Sequence, residues 1–148
     1  MLKSLWSAGT ASDVVFLADY ASNPLGVKSD VDIAKVVERW LTQAAEVSDT
    51  LFIACNTLSI RYHQLYGSEG RLGRLTRVVS MADCFAAMVE EEAERLAEKN
   101  VLVIGTEFTA GQSLYSDIVA RACPRATVST VAATELERKI ARFGAWKG

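Results

Sequence analysis

Apolar runs of strand length alternate with segments of helical period along this chain. Five apolar runs predict strands, at 13–18, 50–54, 77–80, 100–105 and 127–131. Between and after them, helices are predicted at 30–45, 58–66, 83–99, 110–122 and 135–143. In the first of these segments, apolar residues recur at the i, i+3 and i+4 spacing that gives a helix one apolar face. Strands that alternate with helices are typical of β-α units around a mostly parallel sheet. The pattern therefore predicts an α/β fold.

A glycine-rich stretch interrupts this alternation near the middle of the chain. Residues 67–73 contain three glycines, which suits a flexible turn or a boundary between lobes. We therefore expect two lobes, at 1–73 and 74–148.

Composition narrows the class of protein. Half of the 148 residues are hydrophobic, so the chain can bury a core. Sixteen Lys and Arg against eighteen Asp and Glu give a net charge of -2, with no basic stripe, which argues against nucleic-acid binding. The apolar runs are too short to span a bilayer, and the first residues do not form a secretory leader. We expect a cytoplasmic protein with no membrane partner.

The cysteines and the histidine limit the metal and redox chemistry. Cys55, Cys84 and Cys123 are odd in number, widely spaced and without a C-x-x-C pair, and His63 is the single histidine. This pattern argues against both a disulfide framework and a metal site.

Cys55 is the first candidate for chemistry, because the apolar run at 50–54 leads into Cys55-Asn56-Thr57 and then into a helix. A thiol at the end of a strand and the beginning of a helix lies at the positive end of the helix dipole, which favours a thiolate. Asn56 and Thr57 add side-chain donors for a small carboxylate. A buried cysteine that acts only as a small hydrophobic residue is the alternative.

The loop after the first apolar run is the second candidate. The run ends at Asp19 and continues into Pro24-Leu25-Gly26, where backbone N–H groups can approach a carboxylate closely. Gly26 is separated from Lys28 by Val27, so the segment does not match a phosphate-binding loop. An ordinary β-α turn explains the segment equally well.

Segments 18–29 and 54–57 together resemble the cofactor-independent aspartate/glutamate racemase family, with glutamate racemase as the nearest match. Segment 103–109, followed by Ser113 and Tyr115, is similar to the Gly-Thr-x-x-Thr segment that opens the second lobe of that family. The resemblance implies flavodoxin-like β-α units in two lobes with the substrate between them. It also implies inversion of the α-carbon of glutamate or aspartate by two cysteines, without a cofactor.

The resemblance assigns roles to particular residues. Cys55 would be one of the two catalytic bases, and Asp19 would be an acidic catalytic residue near the pocket. The substrate-binding residues would be Pro24, Leu25, Gly26, Asn56, Thr57, Thr106 and Thr109.

The sequence departs from the family pattern in two places. It carries neither the first strand with an Asp-Ser-Gly motif nor the Cys-Thr-His motif that supplies the second base. We therefore expect the first lobe to be incomplete. Cys84 and Cys123 lack the context of a catalytic cysteine, and His63 would lie roughly 10 Å along the helix from Cys55, too far to replace the second base.

Two other functions are compatible with these residues. One is a lyase or isomerase that acts on a small dicarboxylate with a single cysteine, and the other is an inactive binding or interaction module with the same fold. An open sheet edge beside 13–18 would favour pairing with another chain, so we expect a homodimer.

Overall fold

Short strands and helices alternate through the part of the chain that the computed structural model describes, namely residues 14–19, 21–22, 25, 28–67, 77–136 and 139. The helices are α1 (Asp30–Val47), α2 (Asn56–Tyr66), α3 (Met81–Glu91), α4 (Ala93–Leu96), α5 (Glu107–Ala110) and α6 (Leu114–Ala122). The strands are β1 (Thr50–Ile53), β2 (Arg77–Ser80), β3 (Asn100–Gly105) and β4 (Thr127–Ala132). A further helical turn occupies 134–136, where the last helix was predicted.

Among the described residues the strands form two parallel pairs. β1 pairs with β2 from Thr50 opposite Arg77 to Ile53 opposite Ser80. β3 pairs with β4 from Asn100 opposite Thr127 to Gly105 opposite Ala132. Helices connect the two strands of each pair, because parallel neighbours need a crossover connection. The predicted α/β class is confirmed.

The division into 1–73 and 74–148 stays a prediction. β2 follows that boundary in sequence and pairs with β1, which precedes it. Most of the glycine-rich stretch at 67–73 lies outside the described residues.

The strand predicted at 13–18 is wrong over its described part. Residues 14–19 are irregular and join neither strand pair. Their apolar pattern is that of a buried strand, but Val15 and Phe16 are 61% and 72% exposed. A strand forms only where a neighbour pairs with its backbone, and among the described residues this segment has no such neighbour.

Helix α1 buries the predicted apolar face against β1 and α2. Its N-cap is Ser29, whose side chain accepts from the Asp32 backbone N–H. Its buried residues join a core cluster that consists of Ile33, Val37, Leu41, Ala44, Ile53, Leu58 and Tyr62.

Two helices differ from their predicted bounds by several residues. The segment at 83–99 begins earlier, at Met81, and is broken at Glu92 between α3 and α4. Glu92 interrupts the helix with a φ of -95° and a ψ of 10°, which differ from the values of a regular α-helix. The helix predicted at 110–122 begins later, at Leu114 of α6, and its first residue, Ala110, ends the separate helix α5, whose C-cap is Gly111.

The remaining core brings α2, α3 and α6 together. Ile60 of α2, Ala82 of α3 and Tyr115 of α6 form one buried cluster. The next cluster consists of Val89 of α3, Val119 of α6 and Cys123, the C-cap of α6. In the described part of the chain, no helix combines the length and apolarity needed to cross a membrane.

Candidate active site

Cys55 lies at the junction of β1 and α2, as the sequence predicts. It is the N-cap residue of α2, and its side chain makes no capping hydrogen bond. The residue is exposed and its thiol is free. Because the Cys55 side chain does not cap the helix, the first N–H groups of α2 can face an anionic group beside the sulfur.

Ser59, which is fully buried, fixes the backbone on which Cys55 sits. Its hydroxyl contacts the Cys55 carbonyl at 2.8 Å and the Ile53 carbonyl at 3.3 Å. The same oxygen accepts from the Met81 backbone N–H at 3.1 Å. One side chain thus connects the end of β1, the beginning of α2 and the beginning of α3.

Asn56 is the next residue of the site, and a tyrosine from a helix between β3 and β4 contacts it. The Tyr115 hydroxyl, on α6, donates to Asn56 Oδ1 at 2.6 Å. Tyr115 precedes β4, so this bond joins the helix after β1 to the helix between β3 and β4. It brings the first predicted motif together with the segment after Gly105.

The surroundings of Tyr115 keep its hydroxyl protonated. Burial, and then electrostatic interactions with Cys55 and Asp83, raise the pKa of Tyr115 to about 12. At neutral pH the phenol is therefore a hydrogen-bond donor beside Asn56.

The predicted threonines have mainly buried positions. Thr57 is 9% exposed and Thr109 is 4% exposed. Thr106 is the N-cap of α5: its hydroxyl donates to Thr109 Oγ1 at 3.1 Å and accepts from the Thr109 backbone N–H at 3.2 Å. Within the described residues, no hydrogen bond joins Thr106 or Thr109 to Cys55 or Asn56.

Asp19 is bound by α1 and by its own loop. Its carboxylate accepts from the Ser22 backbone N–H at 2.9 Å and from Trp40 Nε1 at 3.1 Å, and it forms an ion pair with Arg39. Hydrogen bonds from Ser22 and Trp40, together with the charge of Arg39, hold the pKa of Asp19 far below its usual range. Asp19 is therefore ionised at neutral pH.

The loop after Asp19 contains three predicted binding residues, of which the structure describes only Leu25. Leu25 packs against the core cluster of α1 and β1. Pro24 and Gly26 lie outside the described residues, so their predicted role in carboxylate binding stays a prediction.

His63 connects α2 to the beginning of α3. Its Nε2 lies 3.0 Å from Ser80 Oγ and 3.2 Å from Asp83 Oδ1. Ser80 and Asp83 form the capping box of α3. These contacts indicate that His63 helps to hold α2 against the beginning of α3. They are consistent with the expectation that it does not replace the second base.

The other two cysteines lie in different surroundings. Cys84 is exposed on α3, whereas Cys123 is 3% exposed in the core, with its Sγ 3.7 Å from the Ala93 carbonyl. In the residues that the structure describes, no three His, Cys, Asp or Glu side chains are grouped to hold a metal ion.

Two surface grooves lie along a different part of α2 from Cys55. One, of about 580 Å³, is lined by Asp30, Ile33, Arg61, Gln64, Leu65 and Gln112. The other, of about 230 Å³, is lined by Ile60, His63, Gln64, Gln112, Ser113, Leu114 and Asp117. Arg61 is engaged by Asp30 at 2.7 Å and lies 4.4 Å above the centre of the Phe108 ring. Neither groove includes a predicted site residue.

Tyr115 is the residue of this site whose contact the sequence analysis missed. It occurs there only as part of the family-like segment, and its spacing to Val119 fits a core position. The signal that identifies it is chemical: a tyrosine on the buried face of a helix still needs a partner for its hydroxyl. The partner, Asn56, is 59 residues away, so sequence spacing does not identify it.

Comparisons with known proteins support the fold. No protein-family model matches the chain, and no curated protein matches it. Among solved structures, it is similar to glutamate racemase from Campylobacter jejuni subsp. jejuni, with a TM-score of 0.75 and 23% sequence identity. The match covers 99% of this chain but 56% of that racemase. The chain thus has the fold of part of a glutamate racemase.

Proposed function

We propose that this chain carries out the α-proton transfer of an amino-acid racemase on glutamate or aspartate, with Cys55 as one of the two bases. The observation that carries the proposal is the position of Cys55, a free and exposed thiol at the N-cap of α2 in a glutamate-racemase-like fold. The chain spans 56% of the length of the racemase that it resembles. Its activity is therefore a proposal of its own.

The site offers two groups that suit a carboxylate beside the thiol. The uncapped N–H groups of α2 favour an anion. The Asn56 side chain follows Cys55 directly and is exposed to a ligand. A substrate carboxylate in this position would place its α-carbon near the sulfur.

The proposed step transfers one proton. The Cys55 thiolate takes the α-hydrogen as a proton, and the electron pair of the C–H bond stays on the α-carbon as a carbanion that the adjacent carboxylate delocalises. Return of a proton from the Cys55 thiol restores the starting enantiomer, and inversion needs a proton donor on the opposite face. The sequence contains no Cys-Thr-His motif, so the proposal assigns only the Cys55 face to residues of this chain.

Exchange of the α-proton in deuterated water tests the proposal. The purified chain is incubated separately with the D- and L-forms of glutamate and aspartate, and loss of the α-proton signal is followed by NMR. We expect exchange with at least one of these amino acids. Cys55→Ser should slow it by about 10²- to 10⁴-fold, the usual contribution of a positioned base.

Cys84→Ser is the matched control, because Cys84 is also a free, exposed cysteine but lies on α3. This variant should exchange at the rate of the unmodified chain. Equal rates in the chain with Cys55 and in Cys55→Ser would exclude Cys55 as the base.

A further inference from the structure

The hydrogen bond between Tyr115 and Asn56 is a contact between two otherwise separate parts of the candidate site. Asn56 begins α2, directly after Cys55, and Tyr115 belongs to α6. The Tyr115 hydroxyl lies 2.6 Å from Asn56 Oδ1. A short bond over 59 residues of sequence fixes the Asn56 side chain from outside its own helix.

The Tyr115 ring is held firmly enough to define where its hydroxyl lies. The residue is 5% exposed and shares a buried cluster with Ile60 and Ala82. Phe85 packs edge-on against the ring, with 5.1 Å between the ring centres and an angle of 80° between the planes. Rings packed in this way keep one orientation, so the hydroxyl has a defined position.

The direction of this hydrogen bond determines the orientation of the Asn56 amide. The phenol is protonated at neutral pH and needs an acceptor, and the acceptor of an asparagine side chain is its oxygen. When Oδ1 accepts from Tyr115, both hydrogens of Nδ2 are directed elsewhere. They are then available to an acceptor such as a carboxylate next to Cys55.

We propose that Tyr115 is a positioning residue of the Cys55 site: its hydroxyl holds the Asn56 amide with the N–H₂ group presented to the substrate carboxylate. This inference rests on the proposed function, because it assumes that a carboxylate binds beside Cys55. It adds a residue from the segment after Gly105 to that site.

Tyr115→Phe tests the inference, because it removes the hydroxyl and keeps the ring against Phe85. The α-proton exchange reaction is measured over a range of substrate concentrations. We expect KM to rise by about tenfold with kcat nearly unchanged, since one hydrogen bond that binds the substrate equally before and during the reaction is lost. A merely structural role would lower the active fraction, which reduces kcat and leaves KM unchanged.

Tyr66→Phe is the matched control, because it removes a tyrosine hydroxyl from the other end of α2. It should leave both kinetic constants unchanged. A wild-type KM in Tyr115→Phe, in a chain that exchanges the α-proton, would overturn the inference and leave the proposed function intact.

A binding measurement separates the two proposals when catalysis is absent. In ¹⁵N NMR of the whole chain, added glutamate or aspartate should shift the Asn56 side-chain amide signals. Tyr115→Phe should weaken this binding by about tenfold. If the amino acid binds, Tyr115→Phe weakens that binding and no α-proton is exchanged, the inference stands and the racemase proposal fails. If Tyr115→Phe binds the amino acid as tightly as the unmodified chain, the inference is overturned. If neither amino acid binds and neither is exchanged, both proposals fail.

Discussion

At the scale of single residues, Asp19 and Cys55 have contrasting environments. The Asp19 carboxylate is bound by Ser22, Arg39 and Trp40, whereas the Cys55 thiol makes no capping hydrogen bond. A group that carries a proton must be able to gain and lose it near the working pH. Asp19 stays ionised far below neutral pH, so we expect it to hold its loop on α1 as a fixed anion.

Because Asp19 is ionised in the folded chain, we expect its contribution to stability to depend on pH. Its pKa is lower in the folded chain than the ordinary 3.8, so its stabilising contribution is complete above 3.8 and is lost as the pH falls towards the folded value. We expect Asp19→Asn to unfold at a lower urea concentration than the unmodified chain at neutral pH. The difference should shrink steadily once the pH falls below 3.8.

Glu46→Gln serves as the comparison for that experiment, because Glu46 is an exposed acidic residue of α1, the helix whose Arg39 and Trp40 bind Asp19. Its removal should leave the urea midpoint nearly unchanged over the whole pH range. A pH-independent difference between Asp19→Asn and the unmodified chain would contradict the account of Asp19.

Local sequence was sufficient to predict the position of Cys55 but not its neighbours. An apolar strand followed by a helix fixes a residue at their junction, and Cys55 lies there. The Tyr115–Asn56 bond depends on how α6 packs against α2, and the burial of Ser59 depends on the approach of α3. Such contacts arise from tertiary packing, which residue spacing does not encode.

At the scale of elements, the strands were predicted well where a partner exists. β2 and β3 have the predicted bounds, and β1 and β4 differ from them by one residue each. The run at 13–18 has the same apolar character but no pairing neighbour among the described residues. Hydrophobic pattern thus predicts which residues suit a strand, and pairing decides whether the strand forms.

Helix α5 approaches the end of β3 so closely that there is little space for a side chain at Gly105. A Cβ atom at Gly105 would lie 2.9 Å from both Cβ and Cγ2 of Thr109, which is too close for unshifted neighbours. Gly105→Ala should therefore destabilise the chain by about 1–3 kcal/mol, the usual cost of overpacking. Urea unfolding measures this change.

Because α5 also packs beside α2, the shift caused by Gly105→Ala should also displace the Phe108 ring, above which the Arg61 guanidinium lies. Circular dichroism at neutral pH should still show that Gly105→Ala is folded. Its urea midpoint can then be compared with that of the unmodified chain. A variant as stable as the unmodified chain would mean that α5 is not held against β3 as the structure describes.

At the scale of the whole molecule, both strand pairs leave apolar side chains exposed. Leu102 and Ile104 of β3 are 55% and 61% exposed, and Phe52 of β1 is 38% exposed. Parallel sheets are normally covered on both faces. Large exposed apolar surfaces of this kind favour association.

Association of two copies is therefore the expected state in solution. Sedimentation equilibrium should give about twice the mass of one chain, which is 16.1 kDa. The apparent mass should fall on dilution, because weakly held copies separate. A constant mass of one chain at all concentrations would exclude the predicted homodimer.

The central claim, that Cys55 transfers an α-proton, is tested most directly by following each enantiomer of glutamate and aspartate separately in deuterated water. The account predicts that deuterium enters the α-position of at least one of these amino acids, in a reaction that Cys84→Ser keeps and Cys55→Ser loses. Failure of the unmodified chain to exchange any of the four, or equal exchange in Cys55→Ser, would contradict it.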